Sequence, residues 1–189
     1  MNRADKGRSC SASIPIVLVL IMLGGCEGGG RQSGAVAVGA AAPDYSARSL
    51  ETGEQVSLES LRGRVVLLNV WAMWCGPCRH EMAALDGLRS RHAASGLEVI
   101  GVNIDGRGER GLVRTFSRVA RVSYAVWLDP DDGVSSRFGV TQLPATFLID
   151  REGRLRWRHV GTLGTQDTGL SKTLDEVLSK GSMTALNGP

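Results

Sequence analysis

A nearly continuous apolar run, VVLLNVW, is followed within a few residues by two cysteines in the pattern Cys-Gly-Pro-Cys. The run, Val65–Trp71, has the composition of a central strand that is buried on both faces. A helix is expected from about Gly76 to Gly96, because proline is tolerated in the first turn of a helix and glycine commonly ends one. Cys75 and Cys78 are therefore expected at the junction between a buried strand and a helix.

Three kinds of site can use two cysteines at this spacing. A zinc site needs two further ligands, and the predicted mature chain offers neither a further cysteine nor a histidine pair at ligand spacing. A structural disulfide would close too short a loop to add much stability. A redox-active pair fits best, because this spacing at a strand–helix junction in a βαβ pattern is typical of thiol–disulfide exchange.

The position of the two cysteines predicts different roles for them. Cys75 is expected to be the exposed nucleophile, because the free N–H groups and the dipole at a helix N-terminus favour a thiolate. Cys78 lies one turn further on, and we expect it to be less exposed and to resolve the mixed disulfide. The pair carries the electrons itself, so no metal or other cofactor is expected.

The rest of the pattern predicts one α/β domain over residues 44–180. After the first helix come a second buried strand at Leu97–Asp105, a helix at Leu112–Ala120 and a short strand at YAVWLD. A hairpin of ATFLID and RLRWRHV follows, and DTGLSKTLDEVLSK forms the last helix. This order of elements predicts a central mixed β-sheet flanked by helices.

The N-terminal segment has the features of a secretion signal. Residues 1–25 combine basic residues, a ten-residue apolar run too short to span a bilayer as a helix, and small residues after it. Leu23-Gly24-Gly25-Cys26 resembles the bacterial lipoprotein box, which implies a lipid on Cys26; an ordinary signal peptide with an incidental cysteine is the alternative. Residues 26–43 are predicted to be the lipidated cysteine and a flexible Gly/Ala linker, and residues 181–189 a disordered tail.

Composition and charge exclude several other classes of protein. The chain has 189 residues, 42% of them apolar and 22% charged, which is typical of a globular protein. The net charge is only +3 and the basic residues are scattered, so no nucleic-acid partner is expected. GRGERG, residues 106–111, matches a dinucleotide-binding pattern. A lone match is weak and the chain cannot supply a second mononucleotide-binding half, so an exposed loop is predicted there.

The order of these motifs resembles the thioredoxin superfamily, and within it the TlpA/ResA-type membrane-anchored thiol–disulfide oxidoreductases, with a redoxin (AhpC/TSA-like) domain. The resemblance covers about Gly39 to Lys180 and is carried by WCGPC, by the segment before the first buried strand, and by QLPATFLID. It implies a thioredoxin-like fold and a cis peptide bond before Pro144, which packs against the cysteines. It also implies that the backbone of Leu143 pairs with an extended substrate segment.

Two more side chains are expected at the site. Glu81 shares a helix face with Cys78, where burial would raise the pKa of its carboxyl group. It matches a glutamate of ResA-like proteins, and the resemblance implies a role in proton transfer. Asn69 occupies the position where thioredoxin carries a buried aspartate. Because an asparagine side chain cannot titrate, Glu81 is the candidate for transferring the proton of Cys78. Trp74 is expected to form an apolar rim for docking.

The predicted function is the reduction of disulfides in extracytoplasmic partner proteins, with a membrane electron donor restoring the dithiol. Gly-Pro between the cysteines adds no charge, which favours a potential nearer thioredoxin's (about −270 mV) than that of the oxidases. The resemblance implies an apocytochrome c or a metallochaperone of oxidase assembly as the partner. Two alternatives stay open: a peroxiredoxin-like thiol peroxidase, although P-x-x-x-T-x-x-C is missing, and a copper delivery module whose thiolates hold Cu(I).

Overall fold

The computed structural model describes residues 36–164 and 167–185. The strands in these residues are β1 (Ser46–Ser49), β2 (Gln55–Ser57), β3 (Val65–Trp71), β4 (Leu97–Asn103), β5 (Ala125–Leu128), β6 (Ala145–Ile149) and β7 (Leu155–Val160). The helices are α1 (Gly76–His92), α2 (Arg110–Val119), α3 (Gly133–Phe138) and α4 (Thr168–Ala185). Short 3-10 turns at Glu59–Leu61 and Ala93–Ser95 precede β3 and β4.

The strands form one mixed sheet in the order β2-β1-β5-β4-β3-β6-β7. β3 pairs in parallel with β4, and β4 with β5, whereas β6 runs antiparallel to both β3 and β7. β1 is antiparallel to β5 and to β2. The predicted α/β fold with a central mixed sheet and flanking helices is therefore confirmed.

Alternating residues of the buried strand β3 pack into two apolar layers, one on each face of the sheet. The first layer joins β3 to α1, α2 and α4 through residues that include Val65, Leu67, Trp71, Leu85, Val113 and Leu174. The second joins β3 to α3 and to the segment before β1 through residues that include Val66, Leu68, Val70, Tyr45 and Phe138. Because both faces are covered, β3 is buried along its whole length, as its composition predicts.

Gly101 in β4 makes room for two aromatic side chains of the first layer. A Cβ atom at this position would lie 2.9 Å from the Nε1 atom of Trp71 and 2.9 Å from the Cε2 atom of Tyr124. Both aromatic residues are buried. The absence of a side chain at Gly101 therefore allows the rings to pack directly against the β4 backbone.

The predicted elements are present, with small differences at their ends. α1 begins at Gly76, and its last turn continues as a 3-10 turn to Gly96, which has a positive φ of 87°. β6 and β7 form the predicted hairpin. The β1–β2 hairpin and α3 were not predicted, because these elements are short and the two strands are polar and only partly buried.

The described structure extends beyond both ends of the predicted domain, residues 44–180. Residues 39–42 were expected in the flexible linker, but they pair with the start of β7: the N–H of Gly39 donates to the carbonyl of Leu155 at 2.7 Å, and the N–H of Leu155 donates to that of Ala40 at 2.9 Å. The domain thus starts before Asp44. α4 continues past residue 180 to Ala185, because residues 181–185 extend the same helix.

The predicted signal peptide and Cys26 lie outside the described residues. Within the described part of the chain, none of the helices has the length and apolar character needed to cross a membrane.

Candidate active site

The two cysteines lie where the chain passes from the C-terminal end of β3 into α1. Cys75 is the N-cap residue of α1, and its Sγ atom accepts a hydrogen bond from the N–H of Cys78 at 3.2 Å. The two Sγ atoms form a disulfide bond of 2.01 Å. The N–H groups of the first turn and the helix dipole both act on Cys75, which favours its thiolate when the disulfide is reduced.

The expected difference in exposure between the two cysteines is present, but it is small. Cys75 is 5% exposed and Cys78 is 1% exposed. The prediction of an openly exposed nucleophile is therefore wrong for the disulfide form, in which α1 and its neighbours cover most of Cys75. Trp74, by contrast, directly precedes Cys75 and is 71% exposed.

Glu81 is buried one turn beyond Cys78 on the same face of α1, with 3% of its surface exposed. One carboxylate oxygen, Oε1, accepts a hydrogen bond from the side-chain amide of Asn69 at 2.7 Å. The other, Oε2, accepts one from the backbone N–H of Leu163 at 3.1 Å. A carboxylate with a donor at each oxygen can remain ionised in a buried position, because charge-assisted hydrogen bonds offset part of its desolvation.

The balance of these effects raises the pKa of the Glu81 carboxyl above its ordinary value of 4.5. Burial is the largest cause, because it disfavours the charged form. The hydrogen bonds from Leu163 and Asn69, and the nearby imidazole of His159, act in the opposite direction and lower the pKa. The burial and the raised pKa that the sequence predicted from the position of this carboxyl group are therefore both present.

Asn69, Thr146 and His159 form a cross-strand row on the sheet beneath Glu81. Asn69 lies opposite Thr146, and Thr146 lies opposite His159. The side-chain amide of Asn69 also donates to the hydroxyl oxygen of Thr146 at 3.0 Å, so both of its N–H bonds are used. The row fixes the orientation of the Asn69 amide and thereby of Glu81. Thr146, His159 and Leu163 were not identified from the sequence, because cross-strand register and loop contacts produce no local pattern.

The peptide bond between Leu143 and Pro144 is cis, as the family resemblance implied. β6 begins with Ala145 opposite Val70, so this bond lies beside the end of β3, where the loop to Cys75 starts. Pro144 is buried, and its carbonyl accepts a hydrogen bond from the N–H of Gly161 at 2.8 Å. Among the described residues, none forms a hydrogen bond with the backbone N–H or C=O of Leu143.

Asp105 contacts the loop that carries Cys75 and was not identified from the sequence as a site residue. Its Oδ2 atom accepts hydrogen bonds from the backbone N–H of Met73 at 2.8 Å and from the side-chain amide of Asn103 at 2.6 Å. A usable signal was present, since Asp105 is the last residue of the segment predicted as the second buried strand, and functional side chains gather at the carboxyl ends of parallel strands.

The glycine-rich motif has no part in this site, and no metal site is found in the described residues. The glycines of GRGERG precede and begin α2, where residues 106–108 are exposed, as predicted for a loop. In residues 36–164 and 167–185, no group of three or more His, Cys, Asp or Glu side chains could hold a metal ion.

The fold of this chain is similar to that of solved thiol–disulfide oxidoreductases. A crystal structure described as a thiol:disulfide interchange protein DsbE from Chlorobium tepidum matches with a TM-score of 0.70 and 31% identity, covering 76% of this chain and 99% of that one. The fold and the cysteine pair together define a thiol–disulfide oxidoreductase with a thioredoxin-like fold.

The sequence comparisons identify the family. The chain belongs to the AhpC/TSA family, which matches residues 38–158. The thiol-disulfide oxidoreductase ResA of Geobacillus thermodenitrificans is 37% identical over 134 residues, which cover 70% of this chain and 75% of that protein. The thioredoxin-like protein YneN of Bacillus subtilis is 34% identical over 138 residues, which cover 72% of this chain and 79% of that protein.

Proposed function

We propose that this chain is an extracytoplasmic protein disulfide reductase that is held at the membrane by a lipid on Cys26. The observation that carries the proposal is the Cys75–Cys78 pair at the first turn of α1, with the buried carboxyl group of Glu81 one turn further on. Nucleophile, resolving thiol and proton acceptor thus follow one another along a single helix.

In the first step, the Cys75 thiolate attacks one sulfur of a disulfide in the partner protein. A bond forms between Cys75 Sγ and that sulfur, the S–S bond of the partner breaks, and the second partner sulfur leaves as a thiolate that takes a proton from solvent. The N–H of Cys78, which lies 3.2 Å from Cys75 Sγ in the disulfide form, supports the attacking thiolate.

In the second step, Cys78 attacks Cys75 Sγ and gives its proton to the carboxylate of Glu81. The mixed disulfide breaks, and the remaining partner sulfur leaves as a thiolate. Two electrons pass to the partner, which becomes a dithiol, while Cys75 and Cys78 become a disulfide. Glu81 suits this role because its raised pKa makes it a stronger base than an ordinary carboxylate.

Partner binding uses the free backbone of Leu143 and the exposed ring of Trp74. An extended partner segment pairs with the N–H and C=O groups of Leu143 in the manner of strand addition. Trp74, which directly precedes Cys75 and is exposed, provides apolar contact, and such aromatic residues commonly anchor protein interfaces.

The direction of electron flow follows from the residues between the cysteines. Gly76 and Pro77 add no charge that would stabilise the reduced form, which favours a reducing potential. A membrane electron donor then restores the dithiol after each turnover. The partner is of the class implied by the family resemblance, an apocytochrome c or a metallochaperone of oxidase assembly.

The test is a single-turnover assay with the full-length chain in detergent micelles. The reduced protein is expected to reduce insulin disulfides, Cys75→Ser to be inactive, and Cys78→Ser to accumulate a mixed disulfide. Cys26→Ser serves as the control and should keep full activity in micelles. The proposal fails if the unmodified protein leaves insulin oxidised, or if Cys75→Ser retains activity.

A peroxiredoxin-like thiol peroxidase is the second function to test, because it is the alternative that the sequence leaves open for a chain of the AhpC/TSA family. The reduced chain is expected to consume hydrogen peroxide much more slowly than it reduces insulin; the opposite order would favour the peroxidase. A Cu(I) titration with Cys75→Ser and Cys78→Ser as controls tests the delivery module in the same preparation.

A further inference from the structure

We propose that Asp105 is a positioning residue that fixes the Met73–Trp74 segment, so that a protein disulfide can dock beside Cys75. The inference rests on the proposed reductase function and extends it to a residue outside the cysteine helix. It starts from the loop between β3 and α1, which carries both the docking side chain and the nucleophile.

Three backbone atoms of this loop have different anchors. The carbonyl of Trp71 accepts a hydrogen bond from the N–H of Ile104 at 3.1 Å, which continues the β3–β4 pairing. The N–H of Cys75 donates to the carbonyl of Ala72 at 3.1 Å, within the loop itself. Within residues 36–164 and 167–185, only the Asp105 carboxylate ties the middle of the loop, at Met73 N–H, to the segment that follows β4.

Asp105 is itself held firmly. It is 8% exposed, its Oδ2 atom accepts from the Asn103 amide at 2.6 Å, and its own N–H donates to Asn103 Oδ1 at 3.2 Å. A hydrogen bond to a charged acceptor contributes about twice as much as a neutral one. The loop therefore loses its firmest link to β4 when this carboxylate is removed.

The consequence depends on the size of the substrate. A protein disulfide must contact Trp74 and Cys75 at the same time, so a freed Trp74 weakens docking. A small disulfide needs only the Cys75 sulfur, whose position is set by α1 and by the Cys78 N–H. Loss of the Asp105 carboxylate should therefore slow protein substrates selectively.

Asp129 supplies a matched control. It follows β5 as Asp105 follows β4, and its side chain is also nearly buried. Its carboxylate likewise accepts from one backbone N–H, that of Val134 at 2.7 Å, and from one side chain, the hydroxyl of Tyr45 at 2.9 Å. It holds α3 rather than the cysteine loop, so Asp129→Ala reproduces the loss of a buried carboxylate without freeing Met73.

The experiment compares reduction of insulin and of the small aromatic disulfide DTNB by the reduced full-length chain in micelles. For Asp105→Ala we expect insulin reduction to fall about tenfold, the factor given by a lost hydrogen bond of this strength, with DTNB reduction within about twofold of the unmodified chain. Asp105→Asn, which keeps an acceptor oxygen, should restore most of the insulin rate. Asp129→Ala should leave the ratio of the two rates unchanged.

Equal slowing of both substrates by Asp105→Ala, or an equally selective effect of Asp129→Ala, overturns the inference. If Asp105→Ala does not fold, amide hydrogen exchange of the unmodified protein decides: the Met73 amide should be protected and the Trp74 amide should not. Rapid exchange at Met73 overturns the proposal. If the unmodified chain reduces DTNB but not insulin, the reductase function fails, and the Met73 exchange still tests the positioning role of Asp105.

Discussion

At the scale of single residues, the site is organised around a carboxyl group that water does not solvate. Glu81 has a hydrogen-bond donor at each oxygen, yet burial still raises its pKa above 4.5. The folded protein therefore binds the Glu81 proton more tightly than the unfolded chain does. Linkage turns this difference into a pH dependence of stability.

The first prediction concerns Glu81→Gln and pH. Below pH 4.5 Glu81 is protonated in both the folded and the unfolded states, so its ionisation does not lower the unfolding free energy. Between that value and the raised pKa only the unfolded chain gives up the proton, so the unfolding free energy falls as pH rises and then stays lower. Glutamine does not titrate. The unfolding free energy of the unmodified chain minus that of Glu81→Gln should thus be larger at pH 4 than at pH 8.

Urea unfolding of the oxidised full-length chain at the two pH values measures this difference. Glu176→Gln, a change at an exposed carboxyl group on α4, is the control and should give the same difference at both. A difference for Glu81→Gln that does not change with pH would show that Glu81 has an ordinary carboxyl pKa in this site.

At the scale of elements, the parallel strands β3 and β4 place the site residues, and Gly101 in β4 leaves room for the aromatic side chains that pack on them. The strands bring Trp71 and Asn103 side by side, and the segments that follow them carry Cys75 and Asp105. A side chain at Gly101 would press on Trp71 and Tyr124, which are both buried.

The second prediction is that Gly101→Ala destabilises the fold by about 1–3 kcal/mol, the usual cost of overpacking a core. Chemical unfolding measures the change. Gly106→Ala is the control, because a Cβ there would meet no atom within 4 Å. Equal stabilities of the two variants would mean that the aromatic rings shift without cost.

The residues that the sequence identified are those with a local signature. The cysteine pair, Pro144 and Glu81 follow from spacing, from flanking motifs and from position on one helix face. Thr146 and Leu163 could not be found in this way, because their roles depend on strand register and on loop contacts. Asp105 could have been found from its place at the end of a buried strand, although its contact with Met73 depends on which strands are neighbours. The short β1–β2 hairpin was missed for another reason: its two strands are polar and only partly buried.

At the scale of the whole molecule, the segment before β1 protects an edge of the sheet. Residues 39–42 pair with the start of β7, which is otherwise the outer strand on that side. Val36 and Ala42 also pack against the second apolar layer. This segment therefore belongs to the folded domain, although its Gly- and Ala-rich composition predicted a linker.

The third prediction compares two shortened chains. We expect the unfolding free energy of a chain that begins at Asp44 to be about 2 kcal/mol lower than that of a chain that begins at Val36. The shorter chain lacks three backbone hydrogen bonds, which join residues 39–42 to Gly153 and Leu155. Urea unfolding of the two chains tests this, and the redox potential serves as the control because it should not differ. Equal stabilities of the two chains would mean that residues 36–43 do not stabilise the domain and act as a linker.

The central claim is that this cysteine pair donates electrons. A glutathione redox titration of the full-length chain in micelles, with the fraction of dithiol determined by thiol alkylation, tests it most directly. We predict a midpoint near that of thioredoxin, about −270 mV. A midpoint above about −180 mV, in the range of the isomerases and oxidases, would contradict it and would mean that the protein forms or rearranges disulfides.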